Sequence, residues 1–130
     1  LTIANRTLEK AQRLVARFSA AAAASGTRLQ ASGYGELAGR GFDLVVNGTS
    51  AGLRGELPEL PGGVFAIGAL AYDMLYGNGL TPFLQRAQGQ GAGRLADGIG
   101  MLVEQAAESF LIWRGVRPHT APVIAQLKTL

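Results

Sequence analysis

Phe42-Asp43-Leu44-Val45-Val46-Asn47-Gly48-Thr49-Ser50-Ala51-Gly52 is the stretch on which the fold turns. Its first five residues are apolar except for Asp43, and the run stops abruptly at Asn47, Gly48 and Thr49. A short apolar run rich in β-branched residues and bounded by turn formers reads as a strand, and continuous rather than alternating hydrophobicity suits a strand buried in a parallel sheet. The expectation is a buried strand that delivers polar groups at its C-terminal end.

Working outward, Leu1 to Asn5 is a second short apolar run that stops at a polar residue. Thr7 then opens a segment with Leu8, Ala11, Leu14, Val15 and Phe18 at helical spacing. That helix ends in the alanines before Ser25 and Gly26, and Thr27 to Ala31 can supply a second strand before the glycine-broken segment around Tyr34 and Leu37. Downstream, residues 51–63 carry Pro58 and Pro61 and read as an irregular loop. Val64 to Leu75 reads as a strand ending near Asp73 and Met74. Thr81-Pro82 pairs a cap residue with proline at the first helical position, opening a short helix to Ala87. Arg94 to Ala96 is a last short strand, Asp97 caps a long helix through Trp113, and Ala121 to Leu130 closes the chain as a helix after Pro118.

Strands alternating with helices give an α/β fold with a mainly parallel sheet whose ligands sit beyond the C-terminal strand ends. The chain opens on a strand with no glycine-rich strand-turn-helix unit ahead of it. The expectation is therefore an incomplete Rossmann-like doubly wound sheet plus C-terminal helices. In the 3-2-1-4-5-6 order the missing strand lies between the one at Leu1 and the one at Phe42. Its loss would bare strand edges and apolar faces, so the isolated chain is expected to be unstable or to self-associate.

Composition narrows the function classes. The 130 residues suffice for one compact domain or for a piece of a larger one. No apolar stretch reaches membrane-spanning length and no leader pattern opens the chain, so a cytoplasmic protein with no membrane partner is expected. The absence of cysteine excludes disulfides and thiolate chemistry. The pI near 9.8 accompanies a net charge of only +3 with scattered arginines, which argues against nucleic acid as a partner. His119, the one histidine, sits beside Pro118 in an expected turn and is read as structural or solvent-facing, so neither a metal cluster nor a Ser-His-Asp arrangement is expected.

Four segments carry chemistry. Asn5-Arg6-Thr7 lies where a strand meets a helix, with Lys10 four residues beyond Arg6 and expected on the same side of the helix. Free N–H groups, the Thr7 hydroxyl and the Arg6 guanidinium there suit a phosphate. NAD-selective folds usually end this strand in an acid for the ribose hydroxyls, whereas here the position is neutral and followed by arginine, which favours NADP. Asn47, Thr49 and Ser50 can hydrogen-bond a ribose or nicotinamide, with Gly48 and Gly52 allowing close approach; without Gly-Lys-Ser/Thr this is no phosphate loop. Tyr72, Met74 and Tyr76 share a face by strand alternation, so Met74 could lie on a flat ring and Tyr76 offer its hydroxyl to a substrate. Gly98, Met101 and Gln105 fall on one face of the long helix beside an apolar stripe of Leu102, Ala106, Phe110 and Trp113, the stripe being read as packing surface. Taken singly, each segment is equally a cap, a turn or core packing.

In order, the segments Asn-Arg-Thr, Asn-Gly-Thr-Ser-Ala-Gly, Tyr-Asp-Met-Leu-Tyr, Thr-Pro-Phe-Leu and Ala-Asp-Gly-Ile-Gly-Met-Leu-Val-Glu-Gln resemble the C-terminal half of shikimate dehydrogenase. The resemblance implies reversible reduction of 3-dehydroshikimate to shikimate with NADPH, in aromatic amino-acid biosynthesis. It implies that Asn5, Arg6, Thr7 and Lys10 bind the adenosine and 2′-phosphate, that Thr49, Met74, Gly98 and Met101 surround the nicotinamide ribose and ring, and that Tyr76 and Gln105 contact substrate. It also implies residues 1–96 as a partial NADP-binding domain and 97–130 as helices returning toward an N-terminal substrate domain.

The family's catalytic lysine and aspartate, serine-rich substrate site and glycine-rich pyrophosphate loop precede the Asn-Arg-Thr segment, and Lys10 and Lys128, the only lysines, lie outside the catalytic context. The chain alone is expected to be inactive and to need the N-terminal half of the same protein as its partner. A quinate/shikimate dehydrogenase and a non-catalytic nucleotide-binding or interaction module are the competing readings.

Overall fold

A computed structural model describes residues 1–50 and 56–129, in two compact units. The first comprises Leu1–Gly41 and Pro58–Val64, the second Phe42–Leu57 and Phe65–Leu130.

The first unit is a strand-helix-strand turn. Strand β1 (Thr2–Ala4) leads into helix α1 (Leu8–Ala24), and strand β2 (Gln30–Ser32) returns parallel to β1 with Thr2 opposite Gln30 and Ala4 opposite Ser32. Strand β2 starts three residues later than the sequence suggests. The end of α1 consumes those residues: Ser25 and Thr27 N–H groups close onto the carbonyls of Ala21 and Ala22, and Gly26 takes the left-handed φ of 68°. Ala11, Leu37, Leu60 and Val64 form the buried core. Of the loop expected over 51–63, residues 51–55 lie outside the described residues; 56–63 form no helix or strand, as expected, and are pinned by Gly39 N–H to the Gly62 carbonyl and Gly41 N–H to the Gly63 carbonyl. A Cβ on Gly63 would stand 2.8 Å from the Cα of Gly39, so no side chain fits there.

The second unit holds a three-stranded parallel sheet in the order β3 (Phe42–Asn47), β4 (Phe65–Asp73), β5 (Arg94–Ala96). Helix α2 (Pro82–Gly89) joins β4 to β5, and α3 (Ile99–Arg114) and α4 (Ala121–Leu127) follow. The expected closing helix reached Leu130, which lies outside the described residues. Thr81 caps α2 as predicted, its hydroxyl oxygen accepting from the Leu84 N–H. Phe83, Leu84 and Ala87 of α2 are buried together with Phe65, Ala69 and Ala71 of β4, and the Phe65 and Phe83 rings meet at 6.5 Å.

Three expectations fail here. Strand β3 is not buried: Leu44 and Val46 are 55% and 53% exposed, because β3 is an edge of its sheet and only β4 pairs with it. Hydrophobicity recorded what β3 is suited to face, and nothing among the described residues of this unit covers it. The buried stripe of α3 is Ile99, Val103 and Ala107, whereas Phe110 and Trp113 of the expected packing stripe are exposed. The helix is apolar nearly all round, so periodicity could not choose between adjacent stripes. Asp97 also stands one residue before the cap position, which Gly98 occupies, and its carboxylate accepts from the Ile99 N–H.

Within each sheet the pairing matches one end of the 3-2-1-4-5-6 order, β1 beside β2 as strands 2 and 3, and β3-β4-β5 as strands 4, 5 and 6. The fold is the Rossmann-like, incompletely wound parallel α/β pattern that the sequence predicts. Among the described residues no helix is long and apolar enough to cross a membrane.

Candidate functional site

At the C-terminal edge of the second sheet, the register sets Asn47 of β3 opposite Asp73 of β4. Both are buried, Asp73 to 1% exposure. One Asp73 oxygen, Oδ1, accepts from Asn47 Nδ2 at 3.0 Å and from the Leu75 N–H at 3.2 Å, while Oδ2 accepts from the Thr81 hydroxyl at 2.5 Å. A carboxylate this deep costs several kcal/mol unless hydrogen-bonded, and three donors meet it here. The Asn47 Oδ1 in turn accepts from the Thr49 N–H at 3.1 Å and the Thr49 hydroxyl at 2.8 Å.

These bonds determine what each predicted residue can offer. The Asn47 amide is turned inward and spent on Asp73 and Thr49, so its contribution is the shape of the Thr49 turn. Thr49 is half-buried with its hydroxyl proton committed and its oxygen left to accept. Ser50 is exposed, and Ala51 and Gly52 of the same motif lie outside the described residues.

Met74 and Tyr76 are 42% and 51% exposed, open enough to meet a ligand. They do not share a strand face as alternation suggested, because β4 ends at Asp73 and the chain turns when the Asp73 carboxylate takes the Leu75 N–H. What aims them is packing by two glycines. A Cβ on Gly48 would sit 3.3 Å from the Met74 sulfur. A Cβ on Gly98 would lie inside the Met74 carbonyl and 3.4 Å from the Tyr76 ring, and the Gly98 N–H bonds the Leu75 carbonyl at 3.0 Å. Gly98 thus seats the start of α3 against the Met74–Tyr76 turn, with Met101 and Gln105 exposed on the next two turns of that helix. Beside the network, Asn47, Asp73, Tyr76, Thr81 and the Gly77-Asn78-Gly79 loop line a cavity of about 230 Å³.

In the first unit, the β1-to-α1 corner gathers the other predicted residues. Asn5 is half-buried, its N–H on the Ser32 carbonyl and its Oδ1 accepting from the Thr7 N–H at 2.9 Å. Thr7 occupies the N-cap position, yet its hydroxyl makes no capping bond. Asn5 shapes the corner, and the Thr7 hydroxyl is left for a ligand. Arg6 and Lys10 are exposed, with no ion-pair partner among the described residues. Arg6 precedes the helix, so the helical i to i+4 relation expected with Lys10 does not apply; Lys10 sits in the first turn, its N–H on the Thr7 carbonyl.

Sequence reasoning passed over Asp73 as a functional residue and took Thr81 only as a cap. An acid closing an apolar strand was the available signal, but its partners lie 26 and 8 residues away in the chain.

Comparison with known proteins bears on the whole chain. Residues 98–128 match the shikimate 5′-dehydrogenase C-terminal domain model. The chain is 62% identical over 129 residues to shikimate dehydrogenase (NADP(+)) of Nitrosospira multiformis, covering 99% of this chain and 45% of that protein. It is 58% identical to the protein of the same name from Chromobacterium violaceum, covering 98% and 45%. Among solved structures, an Ael1 enzyme from Pseudomonas putida superposes with a TM-score of 0.82 at 54% identity, covering 98% of this chain and 45% of that one. Shikimate 5-dehydrogenase from Thermus thermophilus in complex with NADP(H) and shikimate superposes with a TM-score of 0.72 at 29% identity, covering 95% and 43%. The chain spans about 45% of the length of the curated relatives it matches. Along nearly its whole length, the chain is similar to proteins named shikimate dehydrogenase (NADP(+)), and residues 98–128 are similar to the C-terminal domain of that family.

Proposed function

We propose that this chain is the cofactor-binding part of an NADP-dependent shikimate dehydrogenase, the whole protein interconverting 3-dehydroshikimate and shikimate in aromatic amino-acid biosynthesis in the cytoplasm. The observation that carries the reading is the β1-to-α1 corner. A neutral strand end at Asn5, an exposed Arg6 with no ion-pair partner among the described residues, a Thr7 hydroxyl that makes no capping bond and the start of a 17-residue helix combine donors and positive charge where a 2′-phosphate would lie. An acid at Asn5 would repel that phosphate.

Each unit, taken by itself, offers groups that fit one part of the cofactor. Arg6, Thr7 and Lys10 would hold the 2′-phosphate and the adenosine. In the second unit, Thr49, Ser50 and the backbone around Gly98 would meet the nicotinamide ribose, and the exposed thioethers of Met74 and Met101 suit a flat ring. When bound, NADPH supplies the hydride. The chain's own part is to orient that ring, with Tyr76 and Gln105 offering a hydroxyl and an amide to the polyhydroxylated substrate. The proton donor belongs to the remainder of the protein, and residues 97–130 are read as the helices that face its substrate domain across a boundary near Asp97.

The test is calorimetric titration of the chain with NADP⁺, NAD⁺ and 2′,5′-ADP, with Arg6→Ala alongside. Charge-assisted hydrogen bonds contribute about 1.5–3 kcal/mol. Arg6→Ala should therefore weaken NADP⁺ and 2′,5′-ADP by roughly ten- to a hundredfold and leave NAD⁺ nearly unchanged. Equal affinity for NAD⁺ and NADP⁺ in the unsubstituted chain would sink the cofactor assignment.

A further inference from the structure

The geometry points to Asp73 as a positioning residue of this site: its buried carboxylate locks the Asn47–Thr49 turn and the Met74–Tyr76 turn together, so that both walls of the nicotinamide subsite are set by one group. The inference rests on the cofactor reading above for what the walls hold, but the lock itself stands on contacts of this chain.

Three features carry it. First, Asp73 is bonded to both turns through its side-chain carboxylate. Its Oδ1 is shared between Asn47 Nδ2 on one side and the Leu75 N–H on the other. Second, the restraint is passed on without slack. The Asn47 Oδ1 takes both the N–H and the hydroxyl of Thr49, and the Asn47 carbonyl takes the Met74 N–H at 3.1 Å. A rotation of the Asp73 side chain therefore has to break bonds in both turns. Third, Oδ2 is anchored elsewhere, on Thr81 at the start of α2, so the carboxylate plane is fixed by the core. Gly48 and Gly98 close the arrangement sterically, since Met74 is seated between the space left by each. A buried hydrogen-bonded network restricts its members' rotations, and an apolar replacement of Asp73 would take the acceptor from the Asn47 Nδ2 and from the Leu75 N–H.

The chain's two methionines make the test direct. The experiment measures amide hydrogen exchange on ¹⁵N-labelled chain and the two ¹³C-methyl methionine resonances, for the unsubstituted chain and for Asp73→Ala, Asp73→Asn, Thr81→Val and Thr81→Ser. If Asp73 positions the site, Asp73→Ala raises exchange at Thr49 and Leu75 together, by tenfold or more, and shifts the Met74 methyl. The α1 amides and the β1-to-α1 corner keep their protection, and 2′,5′-ADP affinity stays within twofold. Asp73→Asn, which keeps an oxygen for Asn47 and Leu75 if its amide nitrogen faces Thr81, restores most of the protection. Thr81→Val raises exchange at the same two amides by a smaller factor and Thr81→Ser does not, which keeps the test alive if Asp73→Ala fails to fold.

Loss of protection at only one of the two amides, at neither, or equally throughout both units overturns the proposal. The cofactor reading fails separately. If NADP⁺ moves no methionine resonance in the unsubstituted chain while the exchange results stand, the lock is real and the subsite it shapes holds something else.

Discussion

Two glycines at the start of α3, two residues apart, should respond in opposite directions to the same substitution. Gly98 has φ −78° and ψ −2°, a conformation alanine adopts freely, so Gly98→Ala carries no backbone penalty. Its cost is steric. The new methyl would overlap the Met74 carbonyl, with the carbonyl carbon at 2.8 Å. That carbonyl is backbone and cannot swing away: the Met74 N–H is tied to Asn47 and the next N–H, that of Leu75, to Asp73. Relief requires moving the start of α3 and breaking the bond from the Gly98 N–H to Leu75. Overpacking of this kind costs about 1–3 kcal/mol. Gly100 lies inside the same helix with nothing within 4 Å of where its Cβ would stand. Gly100→Ala should therefore gain about 0.5–1 kcal/mol from helix propensity and the stiffer unfolded chain. Urea titration followed by circular dichroism reads both. With an m value of about 2 kcal/mol per M, the Gly98→Ala midpoint falls by roughly 0.5–1.5 M and the Gly100→Ala midpoint rises by a few tenths. A Gly98→Ala midpoint at or above that of the unsubstituted chain would refute the close approach of α3 to the Met74 turn.

Three further outcomes follow from the packing. Phe83→Ala removes a ring that is 3% exposed and meets Phe65, and should cost about 3–5 kcal/mol in the same titration. Arg117 bridges Glu104 and Glu108 of α3 from the exposed segment after the helix, so Arg117→Ala should cost no more than about 1 kcal/mol and its effect should vanish in molar salt; a larger, salt-independent loss would contradict a surface role. Leu44 and Val46 on the β3 edge, with the fully exposed Ile67 of β4, leave apolar surface on the second unit. Sedimentation of the isolated chain should show mass rising with concentration, and Leu44→Thr with Val46→Thr should reduce it; a monomer at all concentrations would count against the exposed edge as an association site.

Much of the element map was legible because local rules suffice for it. Thr81-Pro82 announces a helix start through capping chemistry alone, and Arg94 to Ala96 forms the short strand expected of it. The corner residues Asn5, Arg6 and Thr7 were legible too, since a strand end meeting a helix start is a local event. Coverage was not legible. The hydrophobicity of Leu44 and Val46 states a preference for burial, and whether anything buries them depends on segments elsewhere. Strand alternation failed for Met74 and Tyr76 because a side chain from Asp73 ends the strand before them.

By itself, then, the sequence determined the order of strands and helices, the strand-to-helix corner at Arg6 and Thr7, and the ordered motifs that the chain shares with its relatives. Each depends on neighbours within a few residues or on identity read position by position. Only the tertiary structure decided that the Asn47 amide bonds Asp73 and Thr49, that Gly98 is a steric requirement of the Met74 turn, and that Asp73 joins β3, β4 and α2. Those facts arise where residues 26 and 8 positions apart meet with their side chains buried, and there an unmet hydrogen bond outweighs local preference.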